Sequence, residues 1–299
     1  RTLADVTDAT TSSSINAAVA DRAARLRALH ERDEPFVIPN PWDAGSAKLL
    51  AAAGFEALAT TSAGAAASVG LPNGQLGLAG TIANVGAIVA ATDLPVSADL
   101  ESGYGDDPSA AAAAMRAAAA AGAVGGSIED LRPDGTLLPL DLSVERVAAA
   151  VAAARSLPHD FVVTARCEEM LVTGREVDLA VAIARLQAYQ DAGADVLYAP
   201  GLTSADQIRA VVEAVDRPVN VVMGLGGTTL SVAELGELGV RRISVGSALA
   251  RAAYGALIRA TEEIVGAGTF TFAAEAVPYA TATVLLALAA CVLGWSLGA

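Results

Sequence analysis

Gly122-Ala123-Val124-Gly125-Gly126-Ser127-Ile128-Glu129 joins a glycine that closes an alanine-rich helical run to a short apolar strand ending in an acid. Glycine just past a helix supplies the left-handed conformation that ends it. The same phrase stands at Gly54-Phe55-Glu56-Ala57-Leu58-Ala59-Thr60, at Gly193-Ala194-Asp195-Val196-Leu197-Tyr198-Ala199 and at Gly239-Val240-Arg241-Arg242-Ile243-Ser244-Val245. Between these copies lie four strands of a second kind, each entered from a Pro or Asp turn: Phe36–Ile38, Pro95–Asp99, Phe161–Ala165 and Pro218–Val222. Interleaved, the two sets give eight short apolar strands, each followed by helical sequence. That alternation means a parallel sheet. Eight units in about 220 residues predict a closed (β/α)8 TIM barrel in one domain. A doubly wound sheet would carry a Gly-rich fingerprint after its first strand, and none is present.

The barrel is expected over residues 17–272. Residues 1–16, rich in Thr, Ser and Asp and without an apolar stretch, read as a disordered lead-in. Residues 273–299 form an apolar tail, and 280–299 carry no charge. Such a run is long enough to span a bilayer. An extra C-terminal helix packed on the barrel or on another subunit is the preferred reading, with a membrane anchor as the alternative. The longest gap runs from Thr61 to Leu94, and within it residues 61–80, with glycines at 64, 70, 74, 77 and 80 and no clear period, read as a long loop that is either a candidate lid or an ordinary surface excursion.

The formal charge of −14 argues against nucleic acid or an anionic membrane as the main partner. A small anionic substrate would need a local cation, either an arginine or a metal. The single lysine, Lys48, leaves almost no candidate for Schiff-base chemistry. Two cysteines, Cys167 and Cys291, make neither a disulfide framework nor a metal cluster, which fits a reducing cytoplasm.

Chemistry in such barrels sits at the carboxyl ends of the strands. Read in order, those ends offer Asn40 and Asp43, then Thr60-Thr61-Ser62, then Asp99 and Glu101, then Glu129-Asp130, then Arg166 with Glu168-Glu169. Strand seven carries Asn220, and strand eight ends in Gly246-Ser247. Asp99, Glu101 and Glu129, on adjacent strands, are expected to converge with Arg166 beside them. Clustered acids in a partly dry site are costly unless a cation neutralises them. Mg2+ held partly through waters fits, with Mn2+ as the alternative, and an arginine beside it would hold a substrate carboxylate. Cys167 should point away into the barrel–helix layer. Neither His30 nor His159 lies at a strand carboxyl end.

With these strand ends aligned, the chain resembles the isocitrate lyase/phosphoenolpyruvate mutase superfamily from about Phe36 to Phe272. The resemblance rests on Asn40-Pro41-Trp42-Asp43-Ala44-Gly45-Ser46-Ala47, Thr60-Thr61-Ser62, Gly70-Leu71-Pro72, the Asp99–Gly105 run, Ile128-Glu129-Asp130 and Ala165-Arg166. It implies Mg2+ at Asp99, with Glu101 and Glu129 acting mainly through water. It implies substrate contacts from Ser62, Ala63, Gly64 and Arg166, with Asn220 nearby, and catalytic roles for Arg166 and Glu129. The implied chemistry makes or breaks a C–C or P–C bond beside a 2-oxo acid through a pyruvate enolate. It also implies a homo-oligomer, a tetramer built by exchange of C-terminal helices.

Two departures stand out. Lyases of that superfamily carry a Lys-Lys/Arg-Cys-Gly-His loop after strand four, where this chain reads Leu131-Arg132-Pro133-Asp134-Gly135-Thr136-Leu137-Leu138-Pro139. The lid position that is normally Asp is Asn73. The expected function is therefore an Mg2+-dependent lyase-like enzyme on a small 2-oxo or 2-hydroxy carboxylic acid. A phosphonomutase or phosphonopyruvate hydrolase is the runner-up, and a barrel that binds a metabolite without turning it over is the reading from another class.

Overall fold

A computed structural model describes residues 3–172, 174, 176–226 and 229–274. The chain runs α1 (Leu3–His30), β1 (Phe36–Ile38), α2 (Ala44–Ala52), β2 (Leu58–Ala59), α3 (Ser62–Ser68), α4 (Gly77–Val89), β3 (Val96–Asp99) and α5 (Pro108–Ala120). It continues through β4 (Gly125–Glu129), α6 (Leu140–Arg155), β5 (Val162–Arg166), a 3-10 turn (Glu169–Leu171), α7 (Leu179–Asp191) and β6 (Val196–Tyr198). It closes with α8 (Ala205–Glu213), β7 (Val219–Val222), α9 (Val232–Glu237), β8 (Arg242–Ser244) and α10 (Ala248–Ala267). All eight strands pair in parallel in the order β1-β8-β7-β6-β5-β4-β3-β2. The remaining seam, between β1 and β2, is joined by Ala59 N donating to Pro39 O at 3.1 Å and by Asn40 Nδ2 donating to Thr60 O at 3.0 Å. This is the expected (β/α)8 barrel, with seven strands within the stretches the sequence marks and β5 running one residue past its own, to Arg166.

The four glycines that open the repeated phrase all have positive φ, from 86° at Gly239 to 97° at Gly193. The left-handed turn they provide lets each helix stop and drop straight into a strand. Six helix starts are capped by side chains: Asp43, Thr61, Asp107, Asp178, Ser204 and Ser231 each accept a hydrogen bond from a backbone N–H in the first turn of the helix that follows.

α1 plugs the amino-terminal mouth of the barrel. Its Ala23, Leu26 and Leu29 pack with Phe36, Ile38, Val124, Val162 and Val196. Gly125 lets α1 approach closely there, because a Cβ would lie 3.0 Å from Leu26 Cδ2 and 3.1 Å from Val162 O. The larger core lies between strands and helices, where Leu100, Met115, Phe161, Leu186 and Leu197 are fully buried. Cys167 belongs to this core, as its alternation with Arg166 predicts.

Two expectations change. The stretch read as a lead-in is helical from Leu3, so α1 begins well before Ala17. Once Ala23–His30 is docked, each added residue gains a hydrogen bond without a new nucleation cost. The glycine-studded gap is also not one loop. It contains α3 and α4, whose Ala/Gly composition hides their period, and only 69–76 link them. The apolar tail at 280–299 lies outside the described residues; among those described, no helix is long and apolar enough to cross a membrane.

Candidate active site

Asp99 is the last residue of β3, and three contacts fix it. Its backbone N–H donates to Thr60 Oγ1 at 2.8 Å, its Oδ2 accepts from Ser62 N at 2.9 Å, and its Oδ1 faces Glu101 N at 3.4 Å. The chain then leaves extended geometry. Glu101 has φ 49°, Gly103 φ 75° and Tyr104 φ 62°. Two non-glycine residues in the left-handed region within one turn are strained, and such strain persists only where the surroundings enforce it. Arg146, buried on α6, does so by donating to the carbonyls of Ser102 and Gly105. A Cβ on Gly103 would lie 3.2 Å from Ala111 Cα, so the turn is clasped from two sides.

That turn aims Glu101 at Tyr104, whose hydroxyl lies 2.6 Å from Thr81 Oγ1 and 3.1 Å from Glu101 Oε1. Burial and then the charge of Asp99 raise the Glu101 carboxyl above its usual range. Glu129 ends β4. Burial, with Glu168, Asp99 and Glu101 as negative neighbours, raises its carboxyl against the pull of Arg166.

Arg166 stands at the centre of these acids. Its Nη1 lies 3.2 Å from Glu129 Oε2 and 3.7 Å from Asp99 Oδ1, and its Nε donates to Glu168. The guanidinium stacks over the Tyr198 ring at 5.1 Å. Burial alone would lower its pKa, but Glu168 and Glu129 hold it charged. Behind it, Asp130 accepts from Glu168 N, from Arg185 Nη1 at 3.0 Å and from the Tyr189 hydroxyl at 2.6 Å. α7 thereby positions Glu168, and Glu168 positions Arg166.

Of the residues expected to meet substrate, Asp99, Arg166 and Asn220 line one interior cavity, while Asn73, Glu101 and Glu129 line a second, outer one. The outer cavity, about 500 Å3, lies between the 69–76 segment, the Asp99–Gly105 turn and the loop after β4. That loop forms a small hairpin through the Leu131–Leu137 bridge, tied by Arg132 Nε to Asp106 at 2.8 Å. Ser62 reaches the site through its backbone N–H. Gly64 serves packing, because a Cβ there would lie 2.9 Å from Trp42 Cβ. Ala63 has no polar side chain to contribute, so only its backbone could meet a ligand.

The oxygen-only donor set and the upward-shifted carboxyls fit a hard divalent cation. Among the described residues no three His, Cys, Asp or Glu side chains close on one point. The arrangement suits an ion held by one or two carboxylates and completed by water or substrate. Sequence reading places Glu168 at the end of strand five without a role and passes over Tyr198, Tyr104 and Thr81 as site residues. Glu168 had a usable signal: two residues past Arg166, it could fold back onto the same guanidinium.

The phosphoenolpyruvate phosphomutase family profile matches residues 26–265. A 2-methylisocitrate lyase of Shewanella oneidensis is 30% identical over 256 residues, covering 82% of this chain and 85% of its own. Among solved structures, a Burkholderia cenocepacia J2315 protein provisionally called a lyase/mutase superposes with TM-score 0.87 at 57% identity, covering 90% of this chain and 98% of that one. A 2,3-dimethylmalate lyase superposes with TM-score 0.76 at 33% identity, covering 84% and 89%. Barrel, strand-end acids and these likenesses agree: the chain is an enzyme of the phosphoenolpyruvate phosphomutase family, within the phosphoenolpyruvate mutase/isocitrate lyase superfamily.

Proposed function

We propose that this enzyme makes or breaks a C–C bond in a small 2-oxo or 2-hydroxy carboxylic acid by way of a pyruvate enolate, with Mg2+ as its cofactor. The observation that carries the reading is the placement of Asp99, Glu101, Glu129 and Glu168 about the Arg166 guanidinium. Four acids against one guanidinium would repel an anionic substrate. A divalent ion at Asp99, with Glu101 and Glu129 in reach, would reverse that sign and offset charge growing on an enolate oxygen. The protein's own groups do the rest. Arg166 presents its guanidinium to a carboxylate, held in plane by Glu168 and Tyr198. The Ser62 N–H and Thr60 hydroxyl fix the Asp99 carboxylate and its backbone. Asn73 and Arg132 border the outer cavity, where the remainder of the substrate would lie.

A crystal soaked with Mg2+ and oxalate tests this. Metal at Asp99 and oxalate within hydrogen-bond reach of Arg166 are expected. An Asp99→Ala variant that keeps wild-type metal affinity and turnover would refute it.

One observation favours a second reading, P–C bond chemistry by a phosphonomutase or phosphonopyruvate hydrolase. The hairpin from Leu131 to Leu137 offers no Cys, His or Lys to serve as the acid or base of a lyase. Turnover of phosphonopyruvate with none of oxaloacetate or methylisocitrate would favour it over C–C cleavage.

A further inference from the structure

Asn73 is followed by glycine, and no other asparagine of the chain is. Residues 72–75 form a turn closed by Gln75 N donating to Pro72 O at 3.2 Å, and Gly74, its third residue, has φ 80°. A positive φ at that place alone marks a type II turn. Asn73 and Gly74 are both exposed. Among the described residues no hydrogen bond engages the Asn73 amide or the Gly74 N–H. The remaining asparagines stand differently. Asn40 is bonded at both side-chain atoms and precedes Pro41, which has no N–H. Asn84 Nδ2 donates to Trp42 O from within α4, Asn220 is buried in β7, and Asn16 lies inside α1, where the helix fixes the backbone. The turn also faces the site. Asn73 and Gly74 line the outer cavity with Glu101, Asp106, Glu129 and Arg132, and a Cβ on Gly74 would lie 3.7 Å from Glu101 Oε2.

We infer that Asn73 is a self-modification site, which converts from amide to carboxylate on the wall of the outer cavity without the help of another protein. The Gly74 nitrogen gives up its proton to solvent and attacks Asn73 Cγ. The new N–C bond closes a five-membered imide, the Cγ–Nδ2 bond breaks, and Nδ2 leaves as ammonia after taking a proton from water. A water molecule then opens the imide at one of its two carbonyls. Opening at Cγ restores the main chain and leaves an aspartyl side chain. Opening at the main-chain carbonyl leaves an isoaspartyl link, with the chain running through Cγ and one atom longer. No oxidant or reductant takes part. Glycine favours the closure twice: no Cβ crowds the attacking nitrogen, and its backbone is free to rotate toward Cγ. Either product adds a negative charge to a wall that already carries Glu101, Asp106 and Glu129 against Arg132. The isoaspartyl link also lengthens the 69–76 segment beside Glu101. Neither the step nor its test depends on the reaction proposed above.

The test follows the full chain over days in mildly alkaline buffer. Peptide mass spectrometry should show the amide-to-acid mass gain at Asn73 well ahead of Asn16, Asn40, Asn84 and Asn220. Isoaspartyl methyltransferase should label the same peptide, because direct hydrolysis of the amide makes no isoaspartate. The intact protein should become more strongly retained on an anion exchanger as the gain accumulates. An exposed turn held by one backbone bond needs little opening, so the native rate should lie within about tenfold of that in urea. Asn73→Gln sets the amide carbon one methylene further from the Gly74 nitrogen and should abolish the labelling. An amide that persists at 73 in the native chain, conversion without isoaspartate, or labelling of that peptide in Asn73→Gln would each overturn the inference.

Discussion

His30 makes the stability of this barrel acid-sensitive in a way one substitution can isolate. It lies at the end of α1, 6% exposed, with Nδ1 2.8 Å from Leu26 O and its ring edge-on to Phe36 at 4.9 Å. Burial, with the positive charges of Arg242 and Arg27, lowers its pKa from 6.5 to about 3, while Asp195 opposes the shift. Both states are essentially neutral at this group above pH 7. As pH falls below 6.5 the unfolded chain takes up a proton that the folded chain refuses, so stability is lost from there down to about pH 3. At pH 5 the gap is about 1.5 units, and at about 1.4 kcal/mol per unit the loss is ~2 kcal/mol. His30→Phe keeps the ring on Phe36 and removes the proton site. Urea unfolding at pH 7 and pH 5 should show the wild type losing ~2 kcal/mol more than the variant between the two values. Equal losses, within about 0.5 kcal/mol, would refute a buried neutral His30, because the linkage then has no group to act through.

Further expectations follow from the site. Oxalate should bind only when Mg2+ is present; calorimetry showing equal affinity in EDTA would contradict the charge argument. Asp130→Asn leaves Arg185 buried without a counter-charge and should cost ~3–5 kcal/mol in thermal unfolding. Gly103→Ala forces a side chain into the left-handed region against Ala111 and should cost ~1–3 kcal/mol, with turnover falling more than stability explains. Arg132→Ala removes a half-exposed pair with Asp106 and should change stability by less than about 1 kcal/mol. Its KM should nevertheless rise if the outer cavity holds substrate, which steady-state kinetics would show.

The barrel was legible because its punctuation is chemical. Gly54, Gly122, Gly193 and Gly239 each need the left-handed region, and each stands one short step from a strand. Local rules decide such positions, so sequence alone can find them. Other features depend on partners remote in the chain. Glu101 reads as the extended neighbour of Asp99, yet Arg146, forty-odd residues later, folds the turn and gives it φ 49°. The helices of residues 62–68 and 77–89 escape a periodicity test because alanine and glycine mark no face. Arg242 had a signal in Arg241-Arg242-Ile243: where the chain enters β8, alternation sends one of two successive arginines inside.

The same distinction explains why the strand-end carboxylates could be read and a general acid or base could not. Carboxylates at strand ends are placed by the strands, and the ladder pairs Glu129 with Arg166 directly. A general acid or base in this fold comes from loops, and a loop residue acquires its role from what it packs against. Here the loop after β4 is held by Arg132 to Asp106 and by Leu138 N donating to Asp130 O, the residue that also anchors Glu168. The hairpin is thus coupled to the position of Arg166 through Asp130, although it brings no cysteine, histidine or lysine to the cavity. The groups inside the site that carry protons are held by other elements: Glu101 and Glu129, whose carboxyls burial has raised, and Tyr104, whose hydroxyl lies 3.1 Å from Glu101 Oε1.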